Sequence, residues 1–354
     1  MSDNATTAGL ADRIRRYRHL LPPVSAASVA RMNVDGESAS GWTPEVAEPP
    51  GTPVWAEPDG AALRDRALGC LLGLAVGDAI GATVAGQTRG SFAPLVEPDS
   101  AAAWTGDTSM ALCLGQSLLA SDGVDLDDFM ARLLASLEHG ENTVDGQPAD
   151  VGTVTRQAIE RYVQGGTAVA GDLDAASAGN GSLVRLAPLA IFCARDRDAV
   201  EALAVRQSRA THATLECIDA CRLFAVQLVD ALAGANKASV LRQRVMALCP
   251  QVLFISAGEF KTKTLEQIGS SAYVIDTLDA ALWAVWRTDS FRDAVLTAAN
   301  LGGAAHSVAA LAGQLAGALY GASAIPAEWL VTLAGRERIE FLANDLFERS
   351  PAAA

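Results

Sequence analysis

The chain has 354 residues, half of them apolar and only 5% aromatic, and a net charge of −14. That is length for one large domain or two modest ones, with enough apolar material for a sizeable core. Such acidity works against phosphate backbones and argues against nucleic-acid partners, while leaving room for a local pocket that takes a small diphosphate. The six cysteines are scattered and mostly sit in apolar helical patterns, so they read as small core residues. Cys217 and Cys221, four apart, would share a helix face, but no second pair with ligand spacing exists, and the core reading is preferred. No cleavable signal peptide opens the chain and no apolar run reaches membrane-spanning length. A soluble cytoplasmic protein with no membrane partner is the expectation.

In chain order, residues 1–60 stand apart. Seven of the 14 prolines fall between Pro22 and Pro58, which predicts an extended or disordered tail. Within it, residues 12–21 carry a short basic pattern that suits a solvated tail, and a docking or export role stays open. From residue 61 to 354 the pattern is helical: Leu63, Ala67, Cys70, Leu71 and Leu74 recur at helical spacing, as do Met110, Leu114 and Leu118, and the stretches 215–233, 272–284 and 304–319. Alternating β-branched runs are absent. Gly140, Gly165–Gly166 and Gly302–Gly303 fall where helices should stop or start. One all-α domain over 61–354 is the simplest organisation.

Four motifs carry chemistry. Glycines at 69, 73, 77 and 81 make a smooth helix face that admits a close neighbour. Trp104-Thr105-Gly106-Asp107-Thr108-Ser109-Met110 opens a helix, and Thr105 or Asp107 suits its N-cap. Gly179-Asn180-Gly181-Ser182 brings backbone amides where an anion can approach. Asn300-Leu301-Gly302-Gly303-Ala304-Ala305-His306-Ser307 leads into an apolar, small-residue helix ending near Tyr320.

Taken together, residues 64–335 resemble the ADP-ribosylglycohydrolase family. The resemblance implies an all-α orthogonal multi-helix bundle with an ADP-ribose-shaped cleft, cleavage of the bond joining ADP-ribose to a protein side chain, and two magnesium ions as cofactor. It also implies that Gly179, Asn180, Gly181 and Ser182 line the cleft together with Thr105, Gly106, Thr108, Gly302, Gly303 and Ser307. His212, in Ser208-Arg209-Ala210-Thr211-His212, reaches the ligand or packs in a helix; Tyr273 stacks on adenine or joins the core beside Leu278, Trp283 and Trp286.

The chain departs from the family at the metal positions. These are Ala85, Thr105, Gly106, Asp107, Ala304, His306 and Ser307, where one carboxylate remains. A single carboxylate does not neutralise two hard dications, and magnesium gives up its water reluctantly. No metal is therefore expected; Thr105, Asp107 and His306 are weak candidates for one softer ion. Asp107 and His306 are the candidate catalytic pair, as base and as partner or proton donor, although His306 also suits the role of a plain volume filler. Three functions follow: a protein that binds ADP-ribose or an ADP-ribosylated protein and processes the C1″ bond without magnesium; a non-catalytic scaffold or regulator; and a magnesium enzyme with ligands relocated to Glu138, Glu141, Asp145 and Asp150. The protein partner is not specified by the sequence.

Overall fold

A computed structural model of the protein describes residues 60–98 and 103–350. The proline-rich segment and the basic stretch at 12–21 lie outside the described residues. Fourteen α-helices and no strand occur among them: α1 (Gly60–Ala82), α2 (Gly106–Ser121), α3 (Leu126–His139), α4 (Thr153–Gly165), α5 (Ala187–Phe192), α6 (Arg197–Arg209), α7 (Leu215–Leu232), α8 (Lys237–Val240), α9 (Pro250–Ser256), α10 (Val274–Arg287), α11 (Phe291–Ala299), α12 (Ala305–Tyr320), α13 (Ala327–Thr332) and α14 (Arg336–Glu348). The all-α expectation is met, with one continuous cluster of buried apolar side chains running through the helices.

The axis of the fold is the pair α1 and α12. A Cβ placed on Gly69, Gly73, Gly77 or Gly81 would overlap the carbonyl oxygens of Gly317, Gly313, Ala309 and Ala305 respectively. Gly313 and Gly317 return the favour against Gly73 and Gly69. The four-residue spacing thus sets one turn of α1 against one turn of α12 along their length, backbone on backbone. Every residue of α1 from Gly69 to Gly81 is buried. Dispersion at this density needs every small residue, because a single added methyl must displace main chain. Helices α10 and α11 also pack on α12, α11 touching α1 as well, and α7 lies against α6, α10 and α12.

Helix ends follow the local chemistry. Thr105 caps α2 by accepting from the Asp107 amide, Asp125 caps α3, and Thr214 caps α7. Gly140 and Gly166 end α3 and α4 in the left-handed conformation, as their places in the sequence predict. Gly302 and Gly303, at φ 70° and 60°, form the turn that starts α12. The C-terminal end of α1 and the N-terminal ends of α2 and α12 meet at one end of the axis, where the loops 140–152, 175–182 and 270–273 surround them.

Candidate functional site

The site is organised by a carboxylate that does not face it. Asp78 on α1 is fully buried and accepts four hydrogen bonds: from the Thr105 amide (2.9 Å) and hydroxyl (2.8 Å), and from the Thr108 amide (3.1 Å) and hydroxyl (2.6 Å). These bonds hold the first turn of α2 against α1. Burial raises the Asp78 pKa, and the neighbouring Asp107 raises it further, against the pull of its donors. Asp78 thus takes a structural role, in the contact between α1 and α2.

The cap places Asp107 at the floor of a cleft of about 990 Å³. Its Oδ2 accepts from the Ser307 hydroxyl at 2.6 Å, across from the first turn of α12. Nε2 of His306 stands 3.9 Å from the same oxygen. The other ring nitrogen of His306, Nδ1, is buried and has no hydrogen-bond partner among the described residues. Asp107, Ser307 and His306 are therefore brought together, with Thr105, Gly106 and Ala85 beside them on the wall.

Gly106 explains the wall's shape. A Cβ at this position would overlap the main-chain carbonyl oxygen of Asp150. The loop 145–152 thus lies directly on the start of α2 and contributes Asp145 and Asp150 to the lining. Glu138 and Glu141 do not line the cleft, and the Asp150 side chain is fully exposed, 3.9 Å from Arg156. The four acidic residues considered as relocated ligands are not gathered.

The opposite wall comes from Gly179, Asn180 and Gly181, with His212 and Tyr273. The amides of Gly179 and Asn180 are already committed, to the carbonyls of Ser177 and Ala272, and the Asn180 side chain donates to Thr277. Among the described residues the amide of Gly181, which lines the cleft, and that of Ser182 behind it have no hydrogen-bond partner. Tyr273 caps α10, and its hydroxyl donates to Glu216 at 2.8 Å; burial and that carboxylate raise its pKa. His212 is 1% exposed, and burial with two nearby arginines, Arg185 first, lowers its pKa to about 3.

Four of the expected cleft residues lie behind it. Thr108 is consumed by Asp78. Ser182 is fully buried and accepts from the Ser208 hydroxyl at 2.9 Å. Gly302 and Gly303 serve the turn before α12: a Cβ on either would overlap a carbonyl oxygen, of Gln87 or Ser270, and the Ser270 hydroxyl donates to the Gly302 carbonyl. Sequence reading passed over Arg185 and Thr211, which sit behind His212; a lone arginine in the apolar run 183–190 was the available signal.

The donor set can be tested against two magnesium ions. Among the described residues no group of three or more His, Cys, Asp and Glu side chains converges. At the floor, Asp107 is the one carboxylate and Ser307 already occupies its Oδ2. Asp78 is fully buried behind the lining, held by three donors on Oδ2 and one on Oδ1. Neutral hydroxyls and one anion do not fit a pair of hard dications.

The sequence profile of ADP-ribosylglycohydrolase matches residues 59–354. The chain belongs to that family. It is 42% identical to ADP-ribosylarginine hydrolase Tri1 of Pseudomonas putida (strain GB-1), over 97% of this chain and 94% of the relative. It is 43% identical to the protein of the same name from Serratia proteamaculans (strain 568), over 81% of this chain and 80% of the relative. Identity to ADP-ribosyl-[dinitrogen reductase] glycohydrolase of Rhodospirillum rubrum is 34%, over 77% of this chain and 92% of that one. A solved structure described as an ADP-ribosylglycohydrolase-related protein complex superposes with a TM-score of 0.71 at 39% identity, covering 82% of this chain and all of the other. No helix of the described residues is long and apolar enough to cross a membrane.

Proposed function

We propose that this protein binds ADP-ribose carried on a protein side chain, and that it does so without the paired magnesium ions of its family. The names of two relatives that are more than 40% identical make ADP-ribosylated arginine the first side chain to test. The cleft volume and the open Gly181 amide support the ligand class. One observation carries the metal-independent part: the Asp150 carbonyl fills the space that a side chain at position 106 would need. The reading is tested by thermal unfolding with ADP-ribose, in magnesium and in EDTA. Equal stabilisation in both supports it. Stabilisation that requires magnesium, or none in either, overturns it.

A second reading, catalytic, is favoured by the approach of His306 to Asp107 over the cleft floor. Asp107 takes a proton from water while the water oxygen bonds to C1″. The bond from C1″ to the side-chain nitrogen breaks, and that nitrogen receives a proton from the His306 ring. ADP-ribose and the unmodified side chain are the products. Mass spectrometry of ADP-ribosylated arginine protein incubated in EDTA tests this. Release that Asp107→Ala abolishes supports it; no release, or release indifferent to Asp107→Ala, refutes it.

A further inference from the structure

Arg185 is a buried cation without a carboxylate. It is fully buried, and among the described residues no Asp or Glu pairs with it. Burial lowers its pKa to about 10, which leaves it charged at neutral pH. Its Nε donates to the Gln207 side chain (2.9 Å), and its Nη2 to the Gln207 carbonyl (2.9 Å) and the Thr211 hydroxyl (3.0 Å). The guanidinium also lies 4.8 Å from the centre of the Phe129 ring. An uncompensated interior charge is costly, and its field is weakly screened. Two residues separate it from the cleft, Met110, whose sulfur is 3.9 Å from Nη1, and His212 beyond Thr211.

The bond pattern assigns a proton. Thr211 is fully buried, and its hydroxyl oxygen accepts from Arg185, which can only donate. The same oxygen is 2.7 Å from Nδ1 of His212. Among the described residues the Thr211 hydroxyl has no other acceptor, so its proton goes to Nδ1. The opposite tautomer would strand a buried hydroxyl proton. Nδ1 therefore accepts, and the neutral ring carries its proton on Nε2. Nε2 lies beside the glycine turn: a Cβ on Gly179 or Gly181 would come within 3.3 Å of it.

We infer that Arg185 and Thr211 are positioning residues that hold His212 as a neutral Nε2–H donor toward the glycine turn, where it meets a diphosphate oxygen. The diphosphate is the acceptor favoured by a positive charge behind the wall that no carboxylate pairs among the described residues, and by the unpartnered amide of Gly181 in the lining. This assignment rests on the ADP-ribose reading; the tautomer does not.

The test has two arms on the full chain. In the first, ¹⁵N shifts of the imidazole rings are recorded without ligand, with His212→Gln identifying the signal. The expected result is the Nε2–H tautomer, unchanged from pH 5 to 8, retained in Thr211→Ser and lost to a tautomer mixture in Thr211→Val. An Nδ1–H ring, or one that titrates in that range, overturns the lock. In the second arm, calorimetry measures ADP-ribose and adenosine affinity. Thr211→Val is expected to weaken ADP-ribose about tenfold, the scale of one lost hydrogen bond. Thr211→Ser restores it, and adenosine binding is unchanged. Equal affinity of wild type and Thr211→Val for ADP-ribose, or an equal loss for adenosine, overturns the diphosphate contact. The predicted tautomer in a wild-type protein that binds no ADP-ribose overturns the ligand reading and leaves the Arg185–Thr211 lock in place.

Discussion

The carbonyl oxygen of Asp150 stands where a Cβ on Gly106 would lie. On the metal-independent reading proposed above, Gly106 does more than withhold a ligand, because the main chain of the loop 145–152 lies against it. Gly106→Asp is expected to destabilise the protein by about 1–3 kcal/mol, the usual cost of overpacking against atoms that do not yield. Addition of magnesium should not recover that loss. Thermal unfolding of the variant with and without magnesium checks both. A variant as stable as wild type, or one that magnesium stabilises, would show that the loop gives way and the ion site can be rebuilt by one residue.

Much of the frame was legible in the sequence because its causes are local or periodic. Glycines four apart on α1 predict a neighbour at backbone distance, and α12 supplies it. Gly140, Gly166 and Gly302–Gly303 mark helix boundaries because each requires a left-handed turn. The cap of α2 follows from a threonine before an apolar run. The site was less legible. Nothing in the pattern of residues 145–152 says that they lie on Gly106, since the loop has no periodicity and its contact is made by main chain. The Gly179-Asn180-Gly181 turn suggested a row of free amides, but two are bonded within the protein, through pairings with Ser177 and Ala272 that only the fold reveals. Arg185 and Thr211 are 26 residues apart, and only the fold makes them partners.

Asp78 ties α1 to α2 through four donors, two of them main-chain amides. Replacing it with alanine orphans all four in a dry site and removes the anchor that orients Asp107. Asp78→Ala should cost about 3–5 kcal/mol, on the scale of a broken buried charge network. Asp78→Asn should recover only part, because its amide donates where the threonines also donate. Chemical denaturation measures the loss, with ADP-ribose binding as the second readout. A loss below about 1 kcal/mol for Asp78→Ala would mean that the α2 cap holds without it.

His212 also makes stability depend on pH. Its pKa falls from the ordinary 6.5 to about 3 in the folded chain, chiefly through burial and then through Arg185 and Arg161. Between those values the unfolded chain binds a proton at this ring that the folded chain does not. Stability from this group is thus fully present above pH 6.5 and is lost as pH falls toward 3, by about 1.4 kcal/mol per pH unit across the interval. His212→Gln removes the titration, so its stability should fall less steeply than that of the wild type between pH 6 and 4, whatever its value at pH 7. Denaturant unfolding of both proteins at several pH values checks the difference in slope. Parallel curves would mean that the folded ring protonates as readily as the unfolded one, which a ring held between Thr211 and a buried guanidinium should not do.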